Sequence, residues 1–234
     1  MKSSLEPLAS NQPFAAVLFD MDGTFVDSEP KWLAAETQLM AEFGHRWSKE
    51  DQMYCLGGPL HKVGIYMWEL SGKKHTPDYF RQELVKRTIE EFRNDIGYMP
   101  GALELLLELS AAAIPVALVT ASPEPMMNAT LQRLEGVSFD VAISSNDVKM
   151  TKPDPEAYLL AAQRLGVDIQ QCIILEDSLT GITAAKASGA FVIAIPTFLG
   201  IQGQERLIVL DSLNGVSIAM LSDVFLSNLS EESA

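Results

Sequence analysis

Cysteine is scarce in this chain. Cys55 and Cys172 are its two cysteines, and they stand far apart with no CxxC pair. That excludes a disulfide framework and a thiolate zinc site. The histidines, His45, His61 and His75, are just as dispersed and form no ligand cluster. Positive charge is also short: 17 Lys and Arg against 31 Asp and Glu leave a net charge of −14. So acidic a chain is not expected to take nucleic acid or an anionic membrane as its main partner. The longest charge-free stretch, Ala187 to Gln204, is broken by Gly189, Pro196, Gly200 and Gly203. It therefore reads as helix end, buried strand and loop rather than a membrane span. The N-terminus lacks a basic segment followed by an apolar core, so no signal peptide is expected. These absences together predict a cytoplasmic, soluble protein. Internal repeats and low-complexity segments are missing as well.

What is present begins with Ala15-Ala16-Val17-Leu18-Phe19, a short apolar run that ends abruptly in Asp20-Met21-Asp22-Gly23-Thr24. Such a run reads as a strand buried on both faces in a parallel sheet. The first polar side chains then appear at its carboxyl end, where open α/β sheets bind ligands. From Gly101 onward, helical and strand-like segments alternate. Strands are expected at Ile114–Val119, Val141–Ser144, Cys172–Leu175, Phe191–Ile195 and Leu207–Leu210. The helices between them are expected at Ala102–Ala112, Pro123–Leu134, Pro155–Leu165 and up to Ser188, with Val216–Leu226 last. Repeated β-α units imply a parallel sheet with right-handed crossovers.

Residues 29–97 read differently. Helices are expected at Pro30–Phe43, from a Ser48 cap through Tyr54, at His61–Leu70, and from Thr76-Pro77 to about Asn94. Gly57-Gly58-Pro59 breaks the second from the third, and nothing in the block resembles a strand. The expected fold is therefore α/β: a Rossmann-like parallel sheet formed by residues 1–28 and 98–234, with an all-helical insertion at 29–97.

Polar groups recur at the strand ends: Asp20 and Asp22, Thr120, Lys152 in the loop after Ser144, and Glu176 with Asp177. These residue types suit phosphoryl transfer. A phosphate monoester dianion repels nucleophiles, so its site needs cations. Mg²⁺ prefers oxygen ligands from one or two carboxylates plus water and substrate. Asp20 and Asp177 would supply carboxylates, and a backbone carbonyl near Asp22 a third protein oxygen. Lys152 adds positive charge beside the transferring group. The Thr120 hydroxyl and the N–H groups of Ala121 and Ser122, expected where a helix begins, would bind phosphate oxygens. Asp20 is placed to attack phosphorus, and Asp22, two residues on, to move the leaving-group proton.

Asp20-Met21-Asp22-Gly23-Thr24, Val119-Thr120-Ala121-Ser122, Thr151-Lys152-Pro153-Asp154-Pro155 and Leu175-Glu176-Asp177-Ser178 resemble the four ordered motifs of the haloacid dehalogenase superfamily. With Gly181 and Gly189, they resemble the branch that holds β-phosphoglucomutase and the sugar-phosphate phosphatases. The resemblance implies a helical cap over a Rossmann-like core, Mg²⁺ dependence and an aspartyl-phosphate intermediate. It makes Asp20 the nucleophile, Asp22 the acid/base, Thr120, Ala121 and Lys152 substrate ligands, and Asp20, Asp22 and Asp177 the metal site. Glu176 would orient either a metal-bound water or Lys152. In the mutase a histidine follows the nucleophile by twelve residues, where this chain has Trp32. His61 stands where the mutase has a phosphate-gripping arginine. Both departures favour hydrolysis of a hexose, deoxyhexose or hexitol phosphate over mutation. A non-catalytic phosphometabolite-binding protein is the alternative of another class. The expected partner is a small phosphorylated metabolite, and the expected state is a monomer.

Overall fold

The computed structural model describes residues 12–55, 59–196 and 202–231. Its strands are β1 (Ala16–Phe19), β2 (Val26–Asp27), β3 (Gly97–Tyr98), β4 (Val116–Val119), β5 (Val141–Ile143), β6 (Cys172–Glu176), β7 (Phe191–Ala194) and β8 (Leu207–Val209). Its helices are α1 (Glu29–Ala41), α2 (Lys49–Cys55), α3 (Leu60–Leu70), α4 (Pro77–Asn94), α5 (Ala102–Ala111), α6 (Glu124–Leu131), α7 (Glu156–Leu165), α8 (Leu179–Ser188) and α9 (Ile218–Glu231). Six strands form one parallel sheet in the order β5-β4-β1-β6-β7-β8. The expected α/β architecture is the observed one.

Strand alternation builds two cores from β1. Val17 and Phe19 point into one cluster, with Leu105, Leu106 and Leu109 of α5 and Phe225 of α9. Ala16 and Leu18 point into the other, against Ala157, Ala161 and Ala162 of α7 and Ala184 and Ala185 of α8. Both faces of β1 are thereby covered, which is why its sequence is an unbroken apolar run. The small alanines let α7 and α8 approach the sheet closely.

Register then places the chemistry. Phe19 stands opposite Leu118 of β4 and Leu175 of β6, and Val119 opposite Ile143 of β5. The residues immediately after these strand ends, Asp20, Thr120, Ser144 and Asp177, consequently share one edge of the sheet.

Helices α1 to α4 enclose a third cluster, which includes Ala35, Leu39, Met40, Trp47, Val63, Met67, Phe80 and Leu84. Phe92, further along α4, belongs to the sheet's cluster, and Trp32 packs against both. Sequence-local caps start two of these helices. Ser48 Oγ accepts from Asp51 N at 3.1 Å while Asp51 Oδ2 accepts from Ser48 N at 2.8 Å. Thr76 Oγ1 accepts from Tyr79 N at 3.2 Å ahead of Pro77.

Several expectations are corrected. β2 and β3 pair antiparallel, Val26 opposite Tyr98, and tie together the two chain segments that flank α1–α4. At two residues each, they are too short to show a period in the sequence. Helix α6 stops at Leu131 rather than Leu134, and the Tyr98 hydroxyl donates to Arg133 O in the turn that follows. The expected break at Gly57-Gly58 lies outside the described residues.

The α1–α4 cluster also encloses a carboxylate. Glu36 is buried on α1 and accepts from Trp47 Nε1 at 3.0 Å. Burial pushes its carboxyl up to about 7 against the pull of the Trp47 hydrogen bond, with the charges of Asp51 and Glu29 adding to the rise. Above its unfolded value the native state therefore holds a proton more firmly than the unfolded chain does. Stability is lost as pH rises from the ordinary glutamate range through about 7. Glu36→Gln, which can still accept from Trp47, is expected to raise stability by on the order of 2 kcal/mol at about pH 8 and by little at about pH 5. Urea unfolding at the two pH values checks this, and an equal effect at both would contradict it.

Candidate active site

Asp20 leaves β1 with its backbone still paired, its N–H donating to Leu175 O at 3.0 Å. That bond holds the side chain at the sheet edge, 6% exposed. Lys152 arrives from the loop after β5. Its Nζ lies 2.5 Å from Asp20 Oδ1, 2.7 Å from Glu176 Oε1 and 3.0 Å from Val119 O. Those acceptors use all three ammonium protons. The loop is pinned from α7, where the Glu156 carboxylate accepts from the backbone N–H groups of Lys149 and Met150.

Asp22 is held from β4's end. Its Oδ2 accepts from Ser122 Oγ at 2.7 Å and Thr120 Oγ1 at 3.3 Å. Its Oδ1 is buried and has no hydrogen-bond partner among the described residues. Between the acids, Gly23 has φ +82, and a Cβ there would overlap the Asp177 carboxylate. Glycine at this turn is what lets Asp177, just after β6, approach the turn that follows β1. Thr120, Ala121 and Ser122 lie just ahead of a helix, as expected. α6 starts at Glu124 with Pro123 as its cap, and the Ser122 N–H is taken up by Thr120 Oγ1 at 2.9 Å.

Glu176 is fully buried, and both of its oxygens are engaged. Oε1 accepts from Lys152 Nζ and, at 2.7 Å, from the Tyr158 hydroxyl. Oε2 accepts from the N–H groups of Asp177 and Ser178 and from Ser178 Oγ. Gly181 of α8 lies directly against this carboxylate, leaving no room for a Cβ. The Lys152 contact is one of the two that the sequence allows Glu176.

Burial, and then the charge of Glu176, push the Asp20 carboxyl well above its usual range against the pull of Lys152. Burial likewise works against the Lys152 ammonium, but the charges of Asp20 and Glu176 outweigh it and raise its pKa. The lysine is therefore locked in its charged form. Burial and the Glu176 charge also raise the Tyr158 hydroxyl, which stays a donor.

A model of the haloacid dehalogenase-like hydrolase family matches residues 17–195, from β1 to just past β7. The chain belongs to that family. This haloacid dehalogenase-like hydrolase is 32% identical over 197 residues to hexitol phosphatase B of Escherichia coli K12, covering 81% of this chain and 86% of that one. It is 31% identical over 175 residues to a phosphorylated carbohydrates phosphatase of Thermotoga maritima, covering 74% and 81%. Its fold superposes on CbbY of Rhodobacter sphaeroides, solved in complex with phosphate, with TM-score 0.76 and 27% identity over 89% of this chain and 99% of that one.

The hydrolase's centre is rich in oxygen ligands. Asp20, Glu176 and Asp177 each bring a carboxylate oxygen within 4.8 Å of the other two. With Asp22 nearby, four carboxylates face the one ammonium of Lys152 among the described residues at this edge. That excess of negative charge, with three carboxylates converging, fits a hard divalent cation such as Mg²⁺. Two hydroxyls here are not marked by the sequence pattern. Ser122 is expected to act through its N–H, whereas its hydroxyl is the group on Asp22. Tyr158 sits at an apolar position of α7, where nothing in the pattern marks a hydroxyl aimed at a glutamate. No helix among the described residues is long and apolar enough to cross a membrane.

Proposed function

We propose that this hydrolase cleaves small phosphorylated carbohydrates, hexose, deoxyhexose or hexitol phosphates, in an Mg²⁺-dependent reaction through an aspartyl-phosphate at Asp20. The observation that carries this reading is Lys152 Nζ at 2.5 Å from Asp20 Oδ1 beside the acidic trio Asp20, Glu176 and Asp177. A carboxylate paired with a cation at a sheet edge suits attack on a phosphate dianion. The names of the phosphatases that the chain resembles supply the substrate class.

The carboxylates of Asp20 and Asp177, with a backbone carbonyl near Asp22, would hold the metal, which would supply charge neutralisation for the phosphoryl group. Thr120 and the Ala121 N–H bind phosphate oxygens, and Lys152 offsets the charge that builds on them. An Asp20 oxygen bonds to phosphorus as the ester P–O bond breaks, and Asp22 donates its proton to the departing alcohol oxygen. A water then attacks phosphorus, Asp22 takes its proton, and inorganic phosphate leaves with Asp20 restored. The hydroxyls of Ser122 and Thr120 hold Asp22 by Oδ2, which leaves Oδ1 to carry the proton.

Residues 29–97, with α1–α4, serve as the cap in this reading. Its closure over the sheet edge excludes bulk water. Trp32, which packs against both the sheet's cluster and that of α1–α4, stands at the junction.

The test is hydrolysis of p-nitrophenyl phosphate and a sugar-phosphate panel with Mg²⁺, with chelator controls. Activity that chelator removes and Mg²⁺ restores is expected; inertness toward the whole panel would overturn the reading. Incubation with β-glucose 1-phosphate and trace bisphosphate separates the mutase. Free phosphate is expected, and accumulation of glucose 6-phosphate would replace hydrolysis with mutation.

A further inference from the structure

Tyr158 has no part in the steps above, yet it touches the charged centre twice. It is the third residue of α7 and is fully buried. Its hydroxyl donates to Glu176 Oε1 at 2.7 Å, the same oxygen that accepts from Lys152 Nζ at 2.7 Å. Its ring lies beneath Lys152 Nζ, 4.8 Å from the centroid. One side chain thus supports the ammonium from below and fixes the carboxylate that steers it.

We infer that Tyr158 is a positioning residue that commits Glu176 to Lys152 and so sets the ammonium against Asp20. Oε2 of Glu176 is held by Ser178 and two backbone N–H groups, which anchor that end of the carboxylate. The other end, Oε1, has only Tyr158 and Lys152 as donors among the described residues. Without the hydroxyl, the full demand of that oxygen falls on Lys152. The ammonium is then drawn toward Glu176 and away from Asp20. The consequence for rate rests on the phosphoryl-transfer reading above. The consequence for where Lys152 sits does not.

Tyr158→Phe removes the hydroxyl and keeps the ring under Nζ. With p-nitrophenyl phosphate and Mg²⁺, kcat is expected to fall about tenfold, the rate equivalent of one hydrogen bond to a charged group, with KM within about twofold. In a Glu176→Gln background the same substitution is expected to change kcat by less than about twofold, because its effect passes through the glutamate. A tyrosine that merely fills the core would instead cost the same in both backgrounds. An unchanged kcat, or an equal loss in both backgrounds, overturns the assignment. A crystal structure of Tyr158→Phe gives a readout that needs neither catalysis nor the double variant. Displacement of Lys152 Nζ away from Asp20 supports the role, and unchanged Lys152–Asp20 and Lys152–Glu176 distances overturn it. A wild-type chain inert toward phosphate esters would count against the phosphatase reading alone, leaving the crystallographic result to decide this one.

Discussion

Asp20→Asn is expected to abolish phosphate-ester hydrolysis, lowering kcat on the order of 10³-fold or more, while the protein unfolds at the same temperature or higher. The two halves of this result have separate causes. An amide oxygen is too poor a nucleophile to take a phosphoryl group, so the rate disappears. Stability survives because the amide oxygen can still accept from Lys152 Nζ, and because a buried charge already disfavoured by desolvation and Glu176 has been removed. Thermal unfolding and initial rates on one preparation check both. A loss of rate that follows a loss of fold would leave Asp20 with a structural role alone.

Lys152→Met is expected to lose both. The methionine can still lie over the Tyr158 ring, but Asp20 and Glu176 are left as buried carboxylates without their cation. Breaking a buried pair by removing one partner costs on the order of 3 kcal/mol. The cost should be largest at about pH 8 and smaller at about pH 5, where the orphaned carboxyls can take up protons. Activity falls on the order of 10²-fold or more, since the charge facing the phosphoryl group is gone. Urea unfolding at both pH values and kcat at one measure the two effects. A variant as stable as wild type at pH 8 would show that the triad of Asp20, Lys152 and Glu176 contributes little to holding the sheet edge.

The contrast between these variants shows what the sequence made legible. Asp20 and Asp22 could be read because burial of β1 forbids polar residues until the strand ends, so the first acids mark the edge. Lys152 was legible from its place before Pro153 and α7, although its burial between two carboxylates was not. Glu36 was hidden for a related reason. The apolar spacing of α1 identifies Ala35 and Leu39 as core, but the partner that lets a carboxylate sit among them, Trp47, comes from beyond the helix. Tyr158 was masked by its neighbours. Ala157, Ala161 and Ala162 make its position look like plain core, and only the tertiary approach of β6 reveals what its hydroxyl meets. The β2–β3 pair was invisible because each strand has two residues and a partner far away in the chain. Periodicity reports faces, and the fold follows from faces. Hydrogen bonds between elements depend on approach angles that no single segment encodes.

Asp22→Asn offers the most direct view of the covalent step. p-Nitrophenolate departs without needing a proton, so the first transfer proceeds, whereas the attacking water has lost its base and the second stalls. After a rapid acid quench, borohydride reduction of the trapped acyl phosphate should yield homoserine at position 20, matching the burst of p-nitrophenolate in amount. A full burst with an unmodified Asp20 would contradict the account.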